Sequence, residues 1–252
     1  MKKIVILLGL TAFVFVGQVV AAEKGFKSIF DSKTLDGWDG DPKFWSVEDG
    51  SITGKTTKEN PTKGNTFIIW NGGKTGDFDL RLDYKIVGGN SGIQYRSFKL
   101  KNGADKWRVG GYQADIDSGP TFSGICYGEA FRGILSLRGK KTTLTLSDDG
   151  KLKKDEEEFS KDADVAKAIK KEQWNSYRIV ARGYNLTQYI NGVKTTQVID
   201  RDKKTRRPDG LLALQLHAGP PMNVQFKNIR IKELPKRVRK SGGGKKKSKT
   251  EK

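Results

Sequence analysis

The run Phe78-Asp79-Leu80-Arg81-Leu82-Asp83-Tyr84-Lys85-Ile86 places an apolar side chain at every second position. That period belongs to a strand with one buried face, whereas a helix would repeat its apolar positions every three and four residues. The same short pattern recurs along the chain, cut by turn residues, and 30 of the 252 residues are glycine. Residues 44–48 and 51–53 flank Asp49-Gly50, and residues 187–190 and 193–195 flank Asn191-Gly192. Both dipeptides are hairpin turns, because Asn, Asp and Gly tolerate the positive φ such turns need. Residues 91–96 follow a turn at Gly88-Gly89-Asn90, residues 133–137 and 142–146 read as a pair joined at Gly139, and residues 177–181, 211–216 and 224–231 complete the set. One helix is expected, starting at Asp162 as its cap and running to about Lys171, after a charged exposed loop over 151–161. About a dozen short strands predict an all-β fold, a two-layer sandwich of two antiparallel sheets with one short helix.

Three segments follow from composition. Residues 1–22 carry Lys2 and Lys3, an apolar run from Ile4 to Val16 and the small-residue site Val20-Ala21-Ala22, the pattern of a cleaved signal peptide. The protein is therefore expected to be periplasmic or secreted, with no transmembrane segment once the leader is removed. Residues 23–234 form one domain. Residues 235–252 form a disordered basic tail with nine Lys or Arg against one Glu. The net charge is +19, and about +9 remains once the tail and leader are set aside. The tail is either a solvated terminus or a means of adhering to an anionic envelope surface. No nucleic-acid partner is expected, since an exported chain with no reader motif has no call for one. The lone Cys126 excludes an internal disulfide and reads as a small buried hydrophobe.

The chemistry-bearing stretch is Gly110 to Gly133, GGYQADIDSGPTFSGICYGEAFRG. Gln113, Asp115 and Asp117 at spacing two share one face of a strand. Unpartnered, each would cost about 1–3 kcal/mol in a dry core, so that face is expected to line a wet groove. Carboxylates, an amide, Tyr127, Glu129 and Arg132 around a groove suit a polyhydroxylated ligand such as a sugar.

Five patches, in order, carry a family resemblance: Phe30-Asp31-Ser32-Lys33-Thr34-Leu35-Asp36-Gly37-Trp38; Gly76-Asp77-Phe78-Asp79-Leu80; Asn90-Ser91-Gly92-Ile93-Gln94-Tyr95-Arg96; Trp174-Asn175-Ser176-Tyr177 with Ile190-Asn191-Gly192-Val193; and Leu214-Gln215-Leu216-His217 with Val224-Gln225-Phe226-Lys227-Asn228-Ile229-Arg230-Ile231. Together they resemble the 3-keto-disaccharide hydrolase domain over about residues 26–234. Members of that family are described as 3-keto-glucoside 1,2-lyases and 3-keto-2-hydroxy-glucal hydratases. The resemblance implies a concanavalin A-like jelly roll. Many members carry Glu-x-Gln after the tyrosine matching Tyr112, and here that place holds Gln113-Ala114-Asp115, with Tyr127-Gly128-Glu129 further on.

The implied reaction acts on a 3-keto-glucoside. The ketone at C3 acidifies the hydrogen on C2, a base removes it, the group on C1 is expelled, and water adds across the new double bond. It needs a base, a donor for the enolate oxygen and an acid for the leaving group. The catalytic candidates are Asp115, Glu129, His217 (the only histidine) and Arg96. The plainer readings are carboxylates paired with arginine, a histidine bonded at a sandwich rim and a surface arginine. Gln113, Asn90, Ser91, Tyr127, Arg132 and Trp107 are the substrate-binding candidates. No cofactor is certain, and Asp115, Asp117 and Glu129 could offer oxygens to Ca²⁺ or Mg²⁺. The other reading is a lectin-like, non-catalytic carbohydrate-binding module.

Overall fold

The computed structural model describes residues 23–101 and 105–235. The expected leader (1–22) and the basic tail from Lys236 onward lie outside the described residues. In chain order the elements are β1 (Lys27–Ser28), β2 (Trp38–Asp39), β3 (Trp45–Glu48), β4 (Ser51–Thr56), β5 (Thr66–Trp70), β6 (Phe78–Val87), β7 (Asn90–Lys99), β8 (Val109–Asp117) and β9 (Cys126–Glu129). There follow β10 (Gly133–Ser136), β11 (Lys140–Leu146), β12 (Leu152–Glu158), α1 (Asp162–Ala166), β13 (Asn175–Arg182), β14 (Asn185–Ile190), β15 (Val193–Asp200), β16 (Leu211–Leu216) and β17 (Met222–Glu233).

Ten strands make one sheet, in the order β12-β11-β15-β14-β13-β6-β17-β4-β3 with β1 beside β17. Seven make the other, in the order β10-β9-β8-β7-β16-β5-β2. The chain is thus an all-β sandwich with one very short helix. Every pairing is antiparallel except β11 against β15. The alternation of β6 sends Phe78, Leu80, Leu82, Tyr84 and Ile86 into the core, where they meet Ile93, Tyr95, Tyr112, Ala114 and Ile116 of the facing sheet. Burying a side chain of this size contributes about 1.5–3 kcal/mol. Asp49-Gly50 and Asn191-Gly192 turn the β3–β4 and β14–β15 hairpins with positive φ at all four residues, as the twist of two-residue hairpins requires. No helix among the described residues is long and apolar enough to cross a membrane.

Three local expectations are corrected. Residues 133–137 and 142–146 are not partners: β10 pairs with β9 in the smaller sheet, while β11 pairs with β12 and β15 in the larger. Gly139, at φ 74°, carries the chain between sheets, with its N–H held by Thr195 O at 2.7 Å. The charged stretch expected to be a loop contains β12, an edge strand whose Glu156 and Glu157 meet Lys140 and Lys141. The helix is shorter than expected and its N-cap is Lys161; Asp162 instead binds Arg138 at 2.8 and 3.0 Å.

Candidate functional site

Strands β7, β8, β9 and β16 build a polar platform on the face of the smaller sheet that points away from the larger one. Spacing two places Asn90, Gly92 and Gln94 of β7, Gln113, Asp115 and Asp117 of β8, and Tyr127 and Glu129 of β9 on that face. The register sets Asp117 beside Asn90, Asp115 beside Gly92, and Gln113 between Gln94 and Tyr127. His217 stands one residue beyond the end of β16, two from Gln215. Over this platform lies a cavity of about 480 Å³ lined by Asn65, Asn90, Gln113, Asp115, Asp117, Tyr127, Glu129 and His217, together with Phe122, Ile125 and Ile134. Its size falls in the range of small-molecule sites. Phe122 and Ile134 are exposed and give it an apolar lip. The loop bearing Phe122 is pinned by Arg138, which donates to Ser123 O at 3.1 Å and Pro120 O at 2.8 Å.

A chain of amides fixes the floor. Ser97 Oγ donates to Gln94 Oε1 at 2.7 Å, and Gln94 Nε2 to Gln113 Oε1 at 2.6 Å. Gln113 Nε2 donates to Asp115 Oδ1 and, at 3.4 Å, to Gln215 Oε1. Gln215 Nε2 reaches Glu129 Oε2 at 3.4 Å, and Asn65 Nδ2 holds Glu129 Oε1 at 3.0 Å. Gly92 makes this possible: a Cβ there would lie 2.6 Å from Gln113 Cγ and Cδ.

Burial pushes the Asp115 carboxyl up to about 8; the bond from Gln113 opposes this, and the neighbouring charges of Glu129 and Asp117 add to it. A carboxyl in this state exchanges its proton near neutral pH, as a catalytic acid or base must. Burial, then Glu129 and Asp115, also raise the Tyr127 phenol, which therefore keeps its proton and can donate it in a hydrogen bond. His217 Nδ1 lies 2.5 Å from Ala218 O. A carbonyl only accepts, so in the neutral ring the proton sits on Nδ1 and Nε2 is left as an acceptor.

The 3-keto-α-glucoside-1,2-lyase-like domain model matches residues 25–232. The chain belongs to that family. A curated 3-keto-disaccharide hydrolase of Bacteroides thetaiotaomicron is 37% identical over 90 residues, a stretch covering 31% of this chain and 29% of that protein. A Parabacteroides distasonis protein assigned provisionally as a glycosyl hydrolase, solved at 2.00 Å, superposes with a TM-score of 0.53 at 20% identity, covering 83% of this chain and 99% of its own. A second from that organism, solved at 1.70 Å, gives 0.51 at 20% identity, covering 84% and 94%. At such identity these two structures speak for the fold. The chain matches less than a third of the length of the curated relative.

Of the ten site candidates in this family member, Asp115, Glu129, His217, Gln113, Asn90 and Tyr127 line the cavity. Arg96 does not. A bulge after Tyr95 sets Arg96 and Ser97 against Gly111, and Arg96 adopts φ 49°. Its guanidinium is buried, donating to Gly76 O at 2.9 Å, Gly183 O at 2.5 Å and Asp77 Oδ1 at 2.9 Å. Arg132 is bound to Asp200 and Asp202. Ser91 alternates to the opposite face and donates to Gln215 O at 2.6 Å. Trp107 lies in a neighbouring groove. Cys126 is buried against Tyr95, its thiol pushed up to about 12 by burial.

Gln94 lies on the site face, as spacing two from Arg96 expects, while Asn65 and Gln215 were not expected at the site. Spacing two from His217 could have found Gln215; Asn65, from a distant loop, has no sequence signal. Among the described residues no three His, Cys, Asp or Glu side chains stand close enough to hold a metal ion. Asp115, Asp117 and Glu129 line the same cavity without forming such a group.

Proposed function

We propose that the protein cleaves 3-keto-glucosides by elimination and hydration, with Asp115 as the base at C2. The observation that carries this reading is a carboxyl enclosed in a sugar-sized cavity and raised to about 8. A base of that strength is better matched to a carbon acid than an ordinary carboxylate. Asp115 takes the C2 proton and the electron pair forms the C2–C3 enolate. The Tyr127 hydroxyl donates to the enolate oxygen. Collapse of the enolate re-forms the C3 ketone, creates the C1–C2 double bond and breaks the C1–O bond. The departing oxygen takes a proton from a water whose other hydrogen is held by His217 Nε2, the acceptor nitrogen of the ring. The hydroxide so formed bonds to C1, and Asp115, its proton exchanged with solvent, protonates C2 and returns to the carboxylate. Gln113, Asn90 and Glu129 bind the sugar hydroxyls.

The leader-like residues 1–22 support an exported protein, and the basic tail would hold it to an anionic envelope. The test is incubation of a 3-keto-glucoside with the protein in D₂O. The expected result is free aglycone and deuterium at C2, with Asp115→Asn inactive. Release without deuterium at C2 would point to direct glycoside hydrolysis. No turnover, together with equal affinity for oxidised and unoxidised glucosides, would point to the carbohydrate-binding module.

A further inference from the structure

Beside the cavity, on the same face of the smaller sheet, lies a second groove of about 410 Å³. Asn65 is in the wall of both, so the two are neighbours on either side of one side chain. We propose that this groove is the leaving-group subsite and takes a ring-shaped aglycone bearing an acidic substituent, an inference that rests on the function proposed above.

Three observations converge. First, Trp107 is an anchored platform. Its Nε1 donates to Asp39 Oδ1 at 2.8 Å, and its ring packs on a small apolar cluster of Phe67, Ile69, Val109 and Ala213, separate from the main core. A half-buried indole held in this way presents a ring surface to a sugar or aryl group.

Second, the charge in the groove is uneven. Lys43, Lys63 and Arg108 line it and form no ion pair among the described residues. Its two acids keep their charge, each fixed by one backbone N–H (Asp41 Oδ1 accepts Lys43 N at 3.0 Å, Asp105 Oδ1 accepts Trp107 N at 2.7 Å), and the cations outnumber them. The Lys106 ammonium, 4.4 Å from the Trp107 ring centre, adds a further cation at its edge. Third, Thr62 Oγ1, Thr66 Oγ1 and Arg108 Nε are buried without a hydrogen-bond partner, and all three residues line this groove. Buried polar atoms in folded proteins are nearly always satisfied, so three together mark a wall completed by something else. Hydroxyls and an arginine nitrogen beside unpaired cations call for an acceptor-rich, anionic group.

The experiment compares phenyl and 4-carboxyphenyl 3-keto-glucosides as substrates, and the corresponding unoxidised glucosides by calorimetry. The carboxylated compound is expected to have a kcat/KM at least tenfold higher, through KM, and to bind correspondingly tighter. In Lys63→Gln and in the Lys63→Gln/Arg108→Gln pair that ratio should fall toward one, while the thermal melting curve confirms folding. Equal values for the two aglycones, or a preference that survives in the double variant, overturns the subsite. Selective binding with no turnover of either keto compound removes the proposed reaction and leaves the subsite standing.

Discussion

Two buried polar clusters sit within a few residues of each other on β7, β8 and β9, and they behave in opposite ways. Around Arg96 and Arg132 the charges are closed. Arg96 gives its donors to three backbone carbonyls and Asp77, while Arg132 binds Asp200, which also accepts the Tyr112 hydroxyl at 2.5 Å. Around Asp115 the network ends on an open cavity, with a carboxyl that no cation neutralises. The first cluster ties loops to the sheet, with Arg132 Nε the one arginine donor there left without a partner. The second leaves acid, phenol and imidazole facing one space. Residue type alone does not separate them; what separates them is whether the partners come from the protein.

If that division is right, the closed cluster should govern stability. Arg96→Met removes the donor to three carbonyls and leaves Asp77 with only the Gly183 N–H, and should lower unfolding stability by about 3–5 kcal/mol in urea titrations. A loss below about 1 kcal/mol would show that the cluster is not closed.

The open cluster should instead make stability depend on pH. The Asp115 carboxyl holds its proton more tightly folded than unfolded, so its contribution is complete below about pH 4 and is lost as pH rises through about 8. Between pH 6 and pH 9 the wild type should lose on the order of 2–3 kcal/mol from this group alone, and Asp115→Asn should not. Thermal melts at the two pH values measure the difference. Activity should rise with the same ionisation; a rate that falls through pH 8 would make Asp115 the acid instead of the base.

Gly92→Ala tests the floor between the clusters. The added methyl meets Gln113 at 2.6 Å, so the variant should lose about 1–3 kcal/mol and should also lose turnover, because Gln113 can no longer hold Asp115. The smallest effect on stability is expected for His217→Gln, at about 0.5 kcal/mol or less, since the ring is half-buried with a single backbone bond. Its turnover should nonetheless fall about 10²-fold or more.

Much of this fold is legible in local pattern. The β6 alternation and the two hairpin dipeptides are short-range facts that the structure repeats residue for residue. What escaped the pattern was non-local. β10 and β11 are close in sequence yet enter different sheets, and β12 is a strand because the lysines of β11 pair with its acids, not because its side chains alternate. The site divides in the same way. Gln113, Asp115 and Asp117 share a face because spacing two requires it. The same count put Arg96 on that face, and it fails there because a bulge inserts a residue that no composition marks. Asn65 joins the cavity only through tertiary folding.

The outermost strand of the larger sheet has one further consequence. From Lys153 to Glu158 nearly every side chain of β12 is exposed and charged, on both faces. A free strand edge invites the backbone of another molecule to add to it, and a margin crowded with ammonium and carboxylate groups makes that docking unfavourable without any cover from a helix or loop. The sheet can therefore grow to ten strands and still end in water without recruiting an eleventh from a neighbour.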